Sequence, residues 1–337
     1  MEGNPTVVFT KPKELVIEDR PKPTPEEGQV LIRTRRSLIS TGTELTILSG
    51  EFPPASAWSN LGRFPFRAGY SNVGTVVDLG PGVDRDWMGR RVASYTAHSL
   101  YNVSHVDGVH QIRNQRVLDD DASFFTLGVT VMNGVRRAGV GWGESVVIYG
   151  AGILGQLAAR FCRLCGARPV FVTDIAEDRL KLLPDDAAIV PVNSSREEVA
   201  ERVREATDGR MADVVFEVTG NEKLIPSEFR CLRRQGRFIV LSSPRGATSF
   251  DFHDLCNSPS YTIIGAHILS HPKQGELDLP WTIRRNGELF FDLLADGEIQ
   301  LRPLITGREP YTEAVRLYTM LLEDRSHSMG IVLQWPD

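Results

Sequence analysis

Ser145-Val146-Val147-Ile148-Tyr149-Gly150-Ala151-Gly152-Ile153-Leu154-Gly155 is the stretch that decides the fold. Ser145–Tyr149 is apolar and β-branched, which reads as a buried strand. The helical periodicity of Ile153–Cys165 follows it directly. Between them Gly150, Gly152 and Gly155 form G-x-G-x-x-G, with Ile153 and Leu154 opening the helix. The first glycine permits the tight turn, the second admits a pyrophosphate close to the backbone, and the third lets helix pack on strand. The helix N-terminus then offers unpaired N–H groups to phosphates. Asp174 closes the next strand about 20 residues on, where an acid accepts hydrogen bonds from ribose hydroxyls and repels a 2′-phosphate. Ile175 follows it, and Arg179 stands one helical turn further, placed to lie against an adenine. The expected ligand is therefore NAD rather than NADP. The alternative is a tight strand–helix turn without a ligand.

Outward from this loop the texture alternates. Strands are expected at 169–173, 188–192, 213–218, 236–242 and 261–268, with helices at 177–183, 196–207 and 222–234. Strands alternating with helices imply βαβ units and a parallel, doubly wound Rossmann sheet of α/β class. In such sheets ligands bind at the carboxyl ends of strands, so Thr219, Gly220, Ser242 and Ser243 are candidates for the nicotinamide side. Residues before about 125 read differently, as short β-segments at 7–9, 15–18, 30–34, 74–78 and 91–94 broken by turns at 21–25 and 80–82. That pattern suits a β-rich, barrel-like domain. The tail carries helices near 281–295 and 310–323 and a last strand at 330–334. Pattern alone leaves open whether it is a third unit or returns to the first domain.

Composition narrows the function classes. The 337 residues hold 38 Lys and Arg against 43 Asp and Glu, a net charge of −5 that gives no footprint for nucleic acid or an anionic membrane. Arg33, Arg35 and Arg36, and Arg90 with Arg91, read as solvated surface. No apolar run approaches the ~20 residues of a membrane helix, and residues 1–12 lack the layout of a signal peptide. Four cysteines form no disulfide framework, and Cys162 and Cys165 read as helix residues rather than a metal clip. A reduced, cytoplasmic compartment is expected.

Several further motifs fall in order along the chain: Ser40-Thr41-Gly42-Thr43-Glu44 with Gly50, then Gly69-Tyr70-Ser71-Asn72-Val73-Gly74-Thr75-Val76-Val77 with Gly80 and Val83. Gly89-Arg90-Arg91-Val92, the glycine loop and Leu304-Ile305-Thr306 come after. Together they resemble the medium-chain dehydrogenase/reductase superfamily, the relatives of zinc alcohol dehydrogenase, over nearly the whole chain. The resemblance implies a GroES-like catalytic domain at 1–124, a Rossmann NAD-binding domain at 125–269, and a return to the catalytic domain at 270–337. It also implies a small-molecule substrate and a homodimer or homotetramer.

The departures from that pattern carry as much information. In the zinc enzymes a Cys sits where this chain has Thr41, a Gly-His-Glu stands at Gly69-Tyr70-Ser71, and a third ligand falls near Thr126. Zinc needs about three soft or borderline ligands, and hydroxyls are poor substitutes. No Cys lies between residues 1 and 161, so the structural zinc loop is missing as well. The chain is read as metal-free, similar to a zinc-lacking branch that includes bacteriochlorophyllide dehydrogenase and sugar or natural-product dehydrogenases.

Protein groups must then move the hydroxyl proton. The resemblance places Thr43 as a relay hydroxyl and projects Tyr70 into the pocket, while His98 runs past it. As a base, Tyr70 needs a cationic or strongly hydrogen-bonding neighbour. His98 is the other candidate proton carrier, since imidazole is a side chain suited to acid–base work. The plain alternatives are that Tyr70 fills volume, Thr43 caps a turn and His98 is structural, with Glu44 a supporting or core partner. Residues 51–68, with Phe52, Trp58, Phe64, Phe66, Arg63 and Arg67, suit either a pocket cover or a subunit contact. The resulting expectation is NAD-dependent, zinc-independent oxidation of a secondary alcohol on a sugar, cyclitol or other ring-bearing metabolite, or reduction of the matching ketone. The rivals are a quinone or enone reductase and a non-catalytic nicotinamide-binding regulator.

Overall fold

The structure is a computed structural model describing residues 3–336. Contacts divide the chain into two compact units. One comprises residues up to Leu127 together with Arg284 onward; the other is Gly128–Ile283.

The first unit opens with β1 (Gly3–Lys11), β2 (Glu14–Pro21) and β3 (Gln29–Ile39), followed by α1 (Thr43–Ser49) and α2 (Ala57–Leu61). Strands β4 (Phe66–Arg67), β5 (Asn72–Leu79), β6 (Arg91–Ser94), β7 (Tyr101–His105) and β8 (Val109–Gln111) lead to α3 (Asp119–Ala122), after which α4 (Phe125–Ala138) lies mostly in the second unit. Antiparallel pairing builds the run β3-β5-β6-β8, with β7 also on β3, and a small sheet β2-β1-β4. This curled, antiparallel arrangement buries Val30, Ile32, Val76, Val92 and Val109. A second core gathers Phe9, Leu45, Leu48 and Ile39.

The second unit contains β9 (Val146–Tyr149), α5 (Ile153–Leu164), β10 (Val170–Asp174), α6 (Glu177–Leu180), β11 (Ile189–Asn193) and α7 (Val199–Ala206). It continues with β12 (Ala212–Glu217), α8 (Ile225–Glu228), β13 (Leu232–Val240) and β14 (Thr262–Gly265). All six strands pair in parallel in the order β11-β10-β9-β12-β13-β14. Val146, Val147 and Ile148 are fully buried, as a strand covered on both faces requires. Counted from β9 the order is 3-2-1-4-5-6, the Rossmann arrangement, and it reverses direction between β9 and β12.

The helix expected at 222–234 is not formed as such. It stops at Glu228, a tight turn carries Phe229–Cys231, and Leu232 already pairs with Ala212 in the sheet. Burial of Phe229, Cys231 and Leu232 accompanies this, since the turn and the strand that starts at Leu232 put all three in one core. The helix expected at 177–183 ends at Leu180, and the strand expected at 261–268 spans only Thr262–Gly265.

Chain from Arg284 onward belongs to the first unit, in which α9 spans Ile283–Ala295. Strand β15 (Ile305–Pro310), α10 (Ala314–Glu323) and β16 (Gly330–Gln334) complete it. Strand β16 pairs antiparallel with β3 and extends its sheet, and α10 lends Leu317, Tyr318 and Leu321 to the core around Phe9. The arginines read as solvated surface are instead partly paired. Arg36 and Arg308 both reach Asp120, at 2.9 and 2.6 Å, and Arg35 reaches Asp119 at 3.2 Å. Three consecutive acids at the start of α3 draw them in. Among the described residues no helix is long and apolar enough to cross a membrane.

Candidate active site

In the second unit the glycine loop adopts the geometry its sequence demands. Gly150 has φ +104°, a conformation that L side chains rarely adopt. A Cβ on Gly155 would stand 1.8 Å from the Gly150 carbonyl, so helix α5 approaches the loop only because that residue has none. A Cβ on Gly152 would meet nothing within 4 Å, and no side chain caps the helix there. The first N–H groups of α5 are thus left for an anion. Asp174 accepts from Ala151 N and Ala176 N, both at 2.9 Å, and lies 3.8 Å from Arg179. Gln156, fully buried, ties the Ala151 and Arg179 carbonyls together at 3.3 and 2.8 Å. Ile175 is exposed beside this acid.

The loop abuts the next strand end: the Gly150 Cβ position lies 3.4 Å from Thr219 N. This is the reversal point between β9 and β12, where doubly wound sheets bind ligands. Thr219 and Gly220 turn immediately after β12, and Ser242 and Ser243 after β13. The loop, Asp174, Arg179 and these strand ends fit a dinucleotide, because the cradle left by Gly152 and the uncapped amides suit a pyrophosphate.

A different cluster forms in the first unit. Residues 40–43 carry β3 into α1, so Ser40, Thr43 and Glu44 occupy one tight turn. Gly69, with φ +96°, lets its strand run against His98, where a Cβ would lie 2.5 Å from the His98 amide. Tyr70 then sends its hydroxyl to Ser40 Oγ, and Thr43 hydrogen-bonds it as well. Burial, with the Glu44 charge adding to it, pushes the Tyr70 phenol up to about 12 against the lowering effect of the two hydroxyls. The charged neighbour that acts on it is an anion, Glu44. Tyr70 therefore keeps its proton at neutral pH, which suits a donor or relay rather than a resident base.

His98 is completely buried. Its Nε2 lies 3.1 Å from Glu44 and its Nδ1 2.8 Å from Ser37 Oγ, which accepts from Trp335 Nε1 at 2.9 Å. A neutral ring gives every group a partner when Nε2–H donates to the carboxylate and Ser37 donates to Nδ1. Glu44, 1% exposed, also accepts from the Ser40 amide at 3.1 Å and from the Tyr318 hydroxyl. His98 thus touches Glu44 rather than Tyr70, and Glu44 links the histidine to the hydroxyl cluster. Ser37, Ser40, Tyr318 and Trp335 escape a reading by sequence because they come from both ends of the chain. In the segment 51–68, Trp58, Phe64 and Phe66 pack onto the core around Phe9 and Phe52 stacks on Trp58, while Arg63 and Arg67 remain exposed.

Residues 154–282 match the family model described as zinc-binding dehydrogenase. The L-threonine 3-dehydrogenase of Pyrococcus furiosus is 28% identical over 92% of this chain and 94% of its own. Sorbitol dehydrogenase 1 of Saccharomyces cerevisiae is 23% identical over 94% of each. Among solved structures, an Escherichia coli alcohol dehydrogenase complexed with NADH superposes at TM-score 0.84, with 17% identity over 99% of this chain and all of the other. Over most of its length the chain is thus similar to dehydrogenases of the medium-chain dehydrogenase/reductase superfamily.

The zinc that the superfamily's metal-dependent members carry has no fitting donors here. Thr126 Oγ1 is spent on the Tyr70 carbonyl at 2.8 Å and Ser71 Oγ on the Ser123 carbonyl at 2.6 Å, while Thr41 offers a neutral hydroxyl. Among the described residues no group of three His, Cys, Asp or Glu side chains is placed to hold a metal ion. Neutral hydroxyls do not match zinc's preference for thiolate, imidazole and carboxylate donors. Cys162 is buried in α5 and Cys165 exposed at its end, so they do not form a clip.

Proposed function

We propose that this protein is an NAD-dependent, zinc-independent dehydrogenase of the zinc-lacking branch. It oxidises a secondary alcohol on a sugar, cyclitol or other ring-bearing metabolite, or reduces the matching ketone. The carrying observation is the hydroxyl cluster Tyr70–Ser40–Thr43, with Tyr70 where the resemblance puts a metal-binding histidine, in a chain that keeps a complete dinucleotide loop. Sorbitol dehydrogenase of yeast and a D-xylulose reductase from Rhizobium meliloti, named among the relatives, support a polyol or sugar class.

Bound nicotinamide supplies the hydride acceptor for oxidation and the donor for reduction. Gly150, Gly152, Ile153, Leu154 and Gly155 hold the pyrophosphate, and Thr219, Gly220, Ser242 and Ser243 flank the nicotinamide end. Asp174 with Ile175 and Arg179 takes the adenosine side. The Asp174 carboxylate favours ribose hydroxyls over a 2′-phosphate, which supports NAD. Tyr70 and Thr43 act on the substrate oxygen. In reduction Tyr70 donates its proton to the forming alkoxide, and Ser40 can replace it. In oxidation the order reverses: as Tyr70 takes the alcohol proton its own passes to Ser40, and the Ser40 proton passes to bulk water. His98 acts through Glu44, holding the carboxylate that fixes Ser40.

The test mixes purified protein with NAD and a panel of sugars, cyclitols and cyclic secondary alcohols, with and without a chelator, and follows NADH. Formation indifferent to the chelator is expected. Loss of activity on chelation would overturn the metal-free reading, and a preference for NADP would overturn the cofactor assignment.

A further inference from the structure

Glu217 is the last residue of β12 and is fully buried. An acid ending a run of Val214, Val215 and Phe216 is out of place unless something uses it. Its Oε1 accepts from Thr219 N at 2.7 Å, Thr219 Oγ1 at 2.7 Å and Gly220 N at 2.8 Å. Its Oε2 accepts from Ser242 Oγ. Its main-chain carbonyl accepts from Leu241 N and Ser242 N, both at 3.1 Å. One residue therefore fastens the turn after β12 to the turn after β13, beside the point where the strand order reverses. The recorded side-chain partners are all neutral donors, so the buried charge is satisfied by dipoles that it holds in place.

The direction of these bonds matters. Both hydroxyls donate inward to the carboxylate and Thr219 Oγ1 also accepts from Asn221 N at 3.0 Å, so Thr219 and Ser242 have only remaining lone pairs to present to anything beyond them. We propose that Glu217 is a positioning residue for the nicotinamide end of the cofactor, locking the Thr219–Gly220 turn and fixing the Thr219 and Ser242 hydroxyls as acceptors. It acts through these groups without touching the ligand. The proposal rests on the reading that these strand ends flank the nicotinamide. In Glu217→Gln the side-chain oxygen can keep the amides of 219 and 220, but the amide nitrogen then faces Ser242 and donates to it. That reverses the Ser242 hydroxyl and weakens every bond formerly made to a charge.

The test measures binding of NADH and of ADP-ribose, which lacks the nicotinamide, by fluorescence and calorimetry. It also follows amide hydrogen exchange of residues 219–220 in the cofactor-free protein. Glu217→Gln is expected to weaken NADH about tenfold, as for replacing one charge-assisted bond by a neutral one. ADP-ribose affinity should stay within about twofold, since its contacts lie on the other side of the loop. Exchange at Thr219 and Gly220 should accelerate. Should the variant not fold, Ser242→Ala, which removes one donor and leaves the amides, is expected to give the same selective loss. Unchanged NADH affinity would overturn the proposal, and so would equal losses for both ligands, which would make Glu217 a general support. Failure of the unaltered protein to bind either ligand would instead overturn the underlying dinucleotide reading.

Discussion

The glycine loop and the hydroxyl cluster each hold polar groups in a fixed place, by opposite means. In the loop the groups are main-chain amides from consecutive residues, and the cost is conformational: glycines at Gly150 and Gly155 that no other residue replaces. In the cluster the groups are side chains from β3, α1, the Gly69–Tyr70 turn, the segment before β7, α10 and the terminal strand. There the cost is a buried charge, Glu44, that must be met from every side. Backbone sites are local and tolerate little change at single positions. Side-chain networks are distributed, and their members affect the chemistry through one another.

That contrast breaks most sharply at Gly155. Gly155→Ala forces a Cβ into the Gly150 carbonyl, a clash with backbone that no rotamer relieves. NADH binding should be lost, by well over about 100-fold, with the first unit's fold intact by circular dichroism. Retention of near-native affinity would mean that the loop does not carry the dinucleotide.

Tyr70→Phe probes the other side. It deletes the hydroxyl bonded to Ser40 and Thr43 while keeping the ring, so NADH affinity should not change. Turnover should fall by about 100- to 10,000-fold, the usual worth of a positioned proton carrier. A variant that turns over like the parent would reduce Tyr70 to packing, and His98→Ala retaining full turnover as well would remove the whole proton assignment. His98→Ala is expected to lower stability too, since it leaves Glu44 buried with one donor fewer.

What could be read beforehand follows the same division. The loop, the parallel sheet and Asp174 were legible because their determinants lie within about 30 residues and each has a spacing. Tyr70 is a candidate because it stands in a gap of a known pattern, Thr43 and His98 because of their place beside it, and sequence does not say that the His98 ring faces Glu44. Tyr318, 274 positions from Glu44, carries no signal at all. The helix expected at 222–234 failed for a related reason: Phe229, Cys231 and Leu232 suit helical spacing, but the neighbouring strand β12 claims Leu232. Glu217 did leave a trace, as the one acid in Val214-Val215-Phe216-Glu217-Val218, where continuous burial makes a charge costly.

Glu228 left none, and it makes the sharpest test of how much a distributed network tolerates. It is fully buried, both carboxyl oxygens lack a hydrogen-bond partner among the described residues, and Glu217 lies near enough to oppose its ionisation. Burial first, and Glu217 second, raise its acid from 4.5 to about 9. Between those values the folded chain retains a proton that the unfolded chain has released. Stability therefore falls as pH rises, by about 1.4 kcal/mol per unit while only one state is protonated. By pH 7 this single group costs roughly 3 kcal/mol relative to a neutral side chain of the same shape. Glu228→Gln removes the slope: the variant should match the parent near pH 5 in urea unfolding and exceed it increasingly toward pH 8. Parallel profiles would show that Glu228 finds a partner or solvent in the folded protein. A gain that grows with pH would show that the chain carries a destabilising acid beside Glu217, where the strand-end turns that it fastens are held by bonds to a charge.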